Sequence, residues 1–462
     1  MVKILDWINR TVWGAPTLIL ILGVGLYLSI RTKWVQFRLF PEAIRLFFQK
    51  IQPKKCETGV SSMQALCTAL AATVGTGNIA GVAGAMAIGG PGAIFWMWVC
   101  AVLGMAIKYA EATLAVRFRI EQRGEFLGGP MYTITQALDK KWHFLGFIYA
   151  FFGIFSAFGV GNATQINAVI GSVNDALRNF GIEPSQQGNL MMGAGLAILV
   201  VAMLTGGAKR IGRIAELLVP FAAVSYLLLG LFVLICRFQA IPRAFSMIFQ
   251  GAFSPQAVTG GAIGSFLSAM RVGISRGVFT NEAGMGTASI AHAGANVDHP
   301  CQQGLMGIME VFLDTIVICT MTALVILVSD VPIAYGVDTG ASLTTAAFQR
   351  ICGNWVSVFI ACALCCFAFA TILGWGLYGL RCATFLFGSN VATKFAILQG
   401  ITVIIGSILK TGTIWMLCET VNGLMAIPNL ILLAQLGNEL VRLTIQYKCG
   451  GNYENFHQCK PL

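Results

Sequence analysis

Long apolar runs recur along the chain, separated by short polar or basic stretches. A membrane-spanning helix needs about 20 mostly apolar residues. Eleven such runs occur, near 15–33, 61–88, 92–116, 144–172, 188–206, 213–236, 257–275, 304–329, 354–379, 393–410 and 412–437. None carries the two-residue alternation of a barrel strand, so the pattern predicts an all-helical integral membrane protein. The first run is long, lacks an A-x-A-like cleavage site and ends in a basic segment. It therefore reads as a retained helix rather than a secretory signal. The stretch RLFPEAIRLFFQK that follows reads as an amphipathic segment at the membrane interface.

The second run is unusual. AATVGTGNIAGVAGAMAIGG, residues 71–90, is uncharged but holds Gly75, Gly77, Gly81, Gly84, Gly89 and Gly90 together with Thr73, Thr76 and Asn78. The small residues could form a close-packing face of the G-x-x-x-G kind. Equally, the helix could unwind around Gly75–Gly77, freeing backbone N–H groups for a carboxylate and carbonyls for a cation. Such backbone is tolerated at membrane depth only where it lines a cavity or is buried in protein. The residues alone leave both readings open.

The run at 257–275, AVTGGAIGSFLSAMRVGIS, is also rich in glycine and serine. Dividing the last ten runs five and five makes each half open with such a helix, at about 61–238 and 254–437. An odd number of helices per half forces the halves into opposite orientations, and paired interrupted helices point to a transporter site between inverted repeats. Residues 1–60 then form an extra helix with a basic interfacial segment, and 441–462 form a tail.

Composition agrees with this picture. Mean hydropathy is +0.76 and only 11% of residues are charged, so a soluble globular class is excluded and no soluble catalytic domain is left over. The net charge of +11 is a matter of loops rather than nucleic acid. Loops after the odd-numbered runs hold 20 Lys and Arg residues, against seven on the other side. The positive-inside rule then sets the N-terminus outside and the C-terminus in the cytoplasm, across the cytoplasmic membrane. The fourteen cysteines lie mostly within runs and show no metal-binding spacing with the four histidines, so they read as apolar filler.

Several polar residues fall within runs. Gln165 offers donors and an acceptor to a zwitterion, and Thr371 and Trp375 supply a hydroxyl and a bulky wall. Lys108 with Glu111, and Glu310 with Asp314, each share a helix face by spacing. Glu216, Arg271 and Glu419 add ionisable groups. Structural pairing or an interfacial position is favoured over a proton relay for most of them. No H-E-x-x-H or G-x-S-x-G with a histidine partner suggests an enzyme, and GTGNIAG does not match a dinucleotide loop.

At these residues the sequence resembles the alanine/glycine:cation (sodium:alanine) symporters. The resemblance rests on SSMQALCTALAATVGTGNIAGVA, GGPGAIFWMW, KYAEATLA, GGPMYTITQAL, GVGNATQINAV, RGVFTNEAGMGTASIAHA, FLDTIVICT, FAFATILGW and LMAIPNLILL, in order from about residue 58 to 437. It implies a fold similar to the leucine transporter, with a ten-helix five-plus-five core and one extra helix, here 15–33. It implies import of alanine or glycine, with serine or D-alanine as further candidates, driven by sodium or in some members protons, with no cofactor. By position, Thr76, Gly77 and Asn78 match the unwound first core helix that holds the carboxylate, and Gln165 the third. Thr371 and Trp375 match the eighth, beside the cation and the side-chain pocket. Carbonyls near Ala72 and Gly75, with the Thr371 hydroxyl, are the expected cation ligands. The sixth core helix is expected to contribute through Phe266 or Gly273. Where relatives often read GWSYYGE, this chain reads Gly374-Trp375-Gly376-Leu377-Tyr378-Gly379-Leu380, and Glu419 replaces a usual aspartate. These departures bear on cation ligation and substrate preference.

Overall fold

A computed structural model describes residues 12, 14–51, 59–122, 124–261, 263, 265–337, 340–409 and 412–449, with side chains 412–419 excepted. Glu419, Gly264 and the tail beyond 449 lie outside what is described. Helices dominate. In chain order they include α1 (Ala15–Arg31), α2 (Phe40–Lys50), α3 (Ser62–Thr73), α4 (Val82–Gly89) and α5 (Ala93–Arg117). A hairpin of β1 (Ile120–Gln122) and β2 (Glu125–Leu127) follows, pairing Ile120 with Leu127 and Gln122 with Glu125. Next come α6 (Pro130–Ala137), α7 (His143–Phe158), α8 (Thr164–Asn179), α9 (Gln186–Leu204), α10 (Gly207–Cys236) and α11 (Ile241–Phe253). The remainder is α12 (Phe266–Asn281), α13 (Thr287–His292), α14 (Pro300–Val311), α15 (Thr320–Val328), α16 (Ala341–Cys352), α17 (Val356–Phe387), α18 (Ala392–Ile408), α19 (Gly412–Gln435) and α20 (Gly437–Lys448).

Among the described residues, seven helices are long and apolar enough to cross a membrane, or up to nine if two bent pairs each count as one span. Most expected runs recur as helices with ends shifted by a few residues, and RLFPEAIRLFFQK contains α2. The run at 257–275 does not: a short turn, Pro255–Thr259, ends at Gly260, and α12 starts only at Phe266. Ser265 caps α12 by accepting from the Ser268 N–H, which fixes that start.

The apolar side chains divide by place. Ile198, Leu217, Phe221 and Leu228 on α9 and α10 are exposed, as a lipid-facing surface requires. The centre, where α3, α5, α12, α14 and α17 pack, carries small residues that allow close approach. A Cβ on Gly304 would stand 2.1 Å from the Thr113 hydroxyl, and one on Gly374 would stand 3.1 Å from the Ala72 nitrogen.

The hairpin side of the bundle is tied together by short links. Val60, just before α3, pairs with Ala295, just after α13. Arg119 donates to the carbonyls of Ala293 and Ala295 and lies over the Phe126 ring at 3.6 Å. Glu125 accepts from Arg381 of α17 at 2.6 Å. A cleft at this end is lined by Val60, Ala65, Thr68, Ile290, Ala291 and Arg381.

Candidate functional site

The helix begun at Ser62 is strongly nucleated and then abruptly stopped. Ser61 and Gln64 form a reciprocal capping box, with the Gln64 N–H on Ser61 Oγ at 3.0 Å and the Ser61 N–H on Gln64 Oε1 at 3.2 Å. At Val74 the backbone turns extended, and the chain resumes as a π-turn over Gly77–Gly81 before α4. The two halves are bent by 50°. No proline is involved. The cause is visible at Asn78, whose Oδ1 accepts the Gly75 N–H at 2.9 Å in place of a helical carbonyl. The amide nitrogen of Asn78 is also occupied, donating to the Asp314 carbonyl and to its Oδ1 at 2.7 Å. Asn78 therefore props the break open from behind.

A broken helix exposes carbonyls at one cut end and N–H groups at the other. The carbonyl of Ala71 accepts from the Thr371 hydroxyl at 2.9 Å, so α17 meets the cut end of α3 directly. A Cβ at Gly75 would come within 2.8 Å of Thr371 Oγ1, and glycine is what lets the hydroxyl oxygen reach the backbone there. Ala72 lies on the same cut end, packed against Gly374. Ala72, Gly75 and Thr371 are thus brought together as expected. The oxygens that meet there are the Thr371 hydroxyl and the Ala71 carbonyl, with no charged group in contact among the described residues, while the Gly75 carbonyl accepts the Asn78 N–H.

Gln165 stands across from this corner. Its Oε1 accepts from Thr76 at 3.1 Å and its Nε2 donates to the Val160 carbonyl. That carbonyl belongs to a second π-turn, Gly159–Ala163, between α7 and α8. Trp375 packs onto the same turn, where a Cβ on Gly161 would be 2.2 Å from the Trp375 Cβ. A third π-turn, Phe312–Cys319, joins α14 to α15 and carries Asp314. Three irregular turns therefore converge on Thr76–Asn78. Such turns are frequent at functional sites because they re-aim side chains and loosen backbone bonds. Thr76, Asn78, Gln165, Thr371 and Trp375 are all buried.

Phe266 and Gly273 do not join them. Phe266 stacks with Phe253 and Trp96, and Gly273 faces the Ala93 carbonyl and Trp96 at the start of α5. The reason is that the second interruption sits later than expected, between α12 and α13. There Glu282 adopts a left-handed φ of 54°, followed by Gly284 and Gly286 at φ 95° and 75°. The residue that α12 brings to the first break is Thr280, 3.4 Å from a Cβ on Gly77. A second group that hydropathy reading passed over is Glu282, whose Oε1 accepts from the Trp375 indole at 3.0 Å and Oε2 from Thr287 at 2.5 Å. The available signal is the polar, twice-glycine stretch Asn281–Gly286, which lies outside every apolar run.

The ionisable residues of the spans pair among themselves. Lys108 Nζ lies 3.3 Å from Glu310 and 3.9 Å from Glu111, all three fully buried. Glu310 also meets His292 at 2.8 Å. Glu111 Oε1 collects the N–H groups of Gly284 and Gly286 and the Asn429 amide. Asp314 turns to Asn78 and Thr315 rather than to Glu310. Glu216 accepts from Gln64, and Arg271 is exposed.

Known proteins resemble this chain in sequence and in fold. Residues 1–456 match the sodium:alanine symporter family. The chain is 43% identical over 448 residues to the sodium/alanine symporter AgcS of Methanococcus maripaludis, covering 96% of each protein. It is 37% identical to the amino-acid carrier protein AlsT of Bacillus subtilis, covering 93% of this chain and 88% of that one. Its fold resembles that of MhsT crystallised with L-phenylalanine, with a TM-score of 0.60 at 15% identity over 85% of this chain and 91% of that one. A manganese transporter of Eremococcus coleocola gives a TM-score of 0.52 at 15% identity, over 87% and 81%. These likenesses establish a leucine-transporter-type fold and a transporter rather than an enzyme. The chain belongs to the sodium:alanine symporter family, multi-pass membrane proteins that couple an amino acid to sodium without a cofactor.

Proposed function

We propose that this protein imports a small neutral amino acid, alanine or glycine, together with sodium, by alternating access across the cytoplasmic membrane. The observation that carries this reading is the uncharged break at Val74–Thr76, faced by Thr371 on one side and Gln165 on the other. The substrate carboxylate sits at the N–H groups that open the π-turn at Gly77, with Thr76 and Gln165 beside it. Asn78 holds that backbone in place. The carbonyls of Ala72 and Gly75 and the Thr371 hydroxyl take the cation, one short step away, so each ligand raises the affinity for the other. Trp375, locked onto Gly161, walls the side-chain space and keeps the substrate small. Serine and D-alanine are the next candidates by size.

The same reading takes α1 as an extra span ahead of ten core helices, arranged as inverted halves near 61–238 and 254–437. Two parallels support it. Each half contains a broken helix, and each break is braced by a polar side chain from just beyond the other half's break, Asp314 beyond α14 at the first and Glu111 on α5 at the second. The N-terminus faces outward, and the hairpin with α20 faces the cytoplasm. The test is radiolabelled alanine uptake into proteoliposomes with and without an inward sodium gradient, competed by glycine, serine and D-alanine. Uptake indifferent to the gradient would overturn symport, and absence of uptake for every small neutral amino acid would overturn the substrate class.

A further inference from the structure

The second break is charged where the first is neutral. Glu111 binds the N–H groups of Gly284 and Gly286, and Glu282 is itself the first residue of the break, its carboxylate turned to Trp375 and Thr287. Glu310 lies one ammonium away, across Lys108. The Ser62 hydroxyl donates to Gln303 Oε1, which turns the Gln303 amide nitrogen toward His292 Nδ1 at 2.7 Å. His292 thus lies between Gln303 and Glu310, its Nε2 2.8 Å from the Glu310 carboxylate. All three glutamates are exposed by 3% or less, and among the described residues only Glu111 and Glu310 lie within 4 Å of the Lys108 ammonium. Glu282 has no such cationic contact, and a carboxylate of that kind at membrane depth is costly and normally neutralised by a proton or a cation.

Glu111 Oε2 and the hydroxyls of Tyr149 on α7 and Tyr378 on α17 are buried without a hydrogen-bond partner. The Tyr378 ring lies 5.7 Å from that of Trp375, whose indole bonds Glu282. Glu282 itself accepts hydrogen bonds only from the neutral donors Trp375 and Thr287. The groups around it are Lys108 and Glu111 from α5, Glu310 from α14, His292 from α13, and the two tyrosines. From Glu310 the contacts run on through His292 and Gln303 to Ser62, two residues from Val60 in the cleft wall.

We propose that Glu282 is a proton-exchange site, taking up and releasing a proton as the transporter turns over, separate from the sodium corner at Thr371. Its bond to Trp375 links that proton to the substrate wall. The inference rests on the amino-acid symport reading, and the experiment separates the two. Proteoliposomes with trapped pyranine and clamped voltage are given alanine under an inward sodium gradient, and lumenal pH and alanine uptake are recorded together. The wild type is expected to show a pH shift proportional to alanine uptake, acid for co-movement and alkaline for counter-movement. Glu282→Gln keeps an oxygen for the Trp375 indole and is expected to lose at least about five-sixths of the shift per alanine. Sodium-driven uptake by the wild type with no pH shift overturns the proton site, whether or not the variant folds. So does an undiminished shift per alanine in Glu282→Gln. No alanine uptake by the wild type would instead overturn the symport reading itself.

Discussion

The two broken helices solve one problem with opposite chemistry. At Val74–Thr76 the cut backbone is met by neutral groups: the Asn78 amide, the Thr371 hydroxyl and the Gln165 amide. At Glu282–Gly286 the N–H groups are met by a carboxylate, Glu111, balanced by Lys108. A neutral cradle leaves the backbone dipoles available to an arriving zwitterion and cation. A charged one is already filled, and it holds its break through a strong charge-assisted bond. On the proposed reading the neutral break receives ligand and the charged one keeps the bundle in register.

The largest expected effect comes from removing the balancing charge. Lys108→Met leaves buried glutamates facing one another, and breaking a buried ion pair costs about 3–5 kcal/mol. The expected result is loss of folded protein in detergent, read by size exclusion and thermal melting. A variant that melts like the wild type would mean that the second break does not depend on charge. Next, Gly75→Ala puts a methyl 2.8 Å from the Thr371 hydroxyl without touching a charge. Losing one polar contact at the ligand is worth about 1.5–3 kcal/mol, so sodium-driven uptake should fall roughly 10- to 100-fold. The melting temperature should move little. A smaller effect is expected for Thr371→Val, which keeps the shape and removes one cation ligand. The sodium concentration for half-maximal uptake should rise about tenfold, the equivalent of 1.4 kcal/mol, while uptake at saturating sodium is largely retained. An unchanged sodium dependence would move the cation away from the neutral break.

How much of this could be read from the residues depends on how each break announces itself. The first lies inside an apolar run, so its glycines and Asn78 stand out against a pattern they interrupt. The second lies after the run has ended, in RGVFTNEAGMG, where glycines and charges look like an ordinary loop. The apolar pattern therefore sets the interruption at 257–275, and Phe266 and Gly273, expected from the resemblance for the sixth core helix, pack against the start of α5 instead. The pairing of Lys108 with Glu111 was legible from three-residue helical spacing, whereas its nearer partner Glu310 comes from a distant span. That contact, like the Trp375–Glu282 bond, is made by tertiary packing and has no trace in local spacing. The hairpin after α5 is too short and too polar for either pattern to reveal.

That hairpin supplies the smallest expected effect and a control for the charge argument. Arg381 and Glu125 approach to 2.6 Å, closer than Lys108 and Glu310, yet the Glu125 side chain is 40% exposed. Solvent screens such a pair, and measured exposed pairs contribute about 0.2–1 kcal/mol. Hairpin attachment also has other supports, the Arg119 bonds to Ala293 and Ala295 and its contact with the Phe126 ring. A double-mutant cycle of Glu125→Gln and Arg381→Gln, followed by thermal melting, should therefore return a coupling below about 1 kcal/mol. Uptake should change less than about threefold, because the pair borders the cleft two turns of α17 beyond Trp375 rather than the ligand corner. A coupling as large as that expected at Lys108 would show that burial is not what separates the two ends of the molecule. The contrast between a neutral break and a charged one would then need a cause other than the dielectric around each.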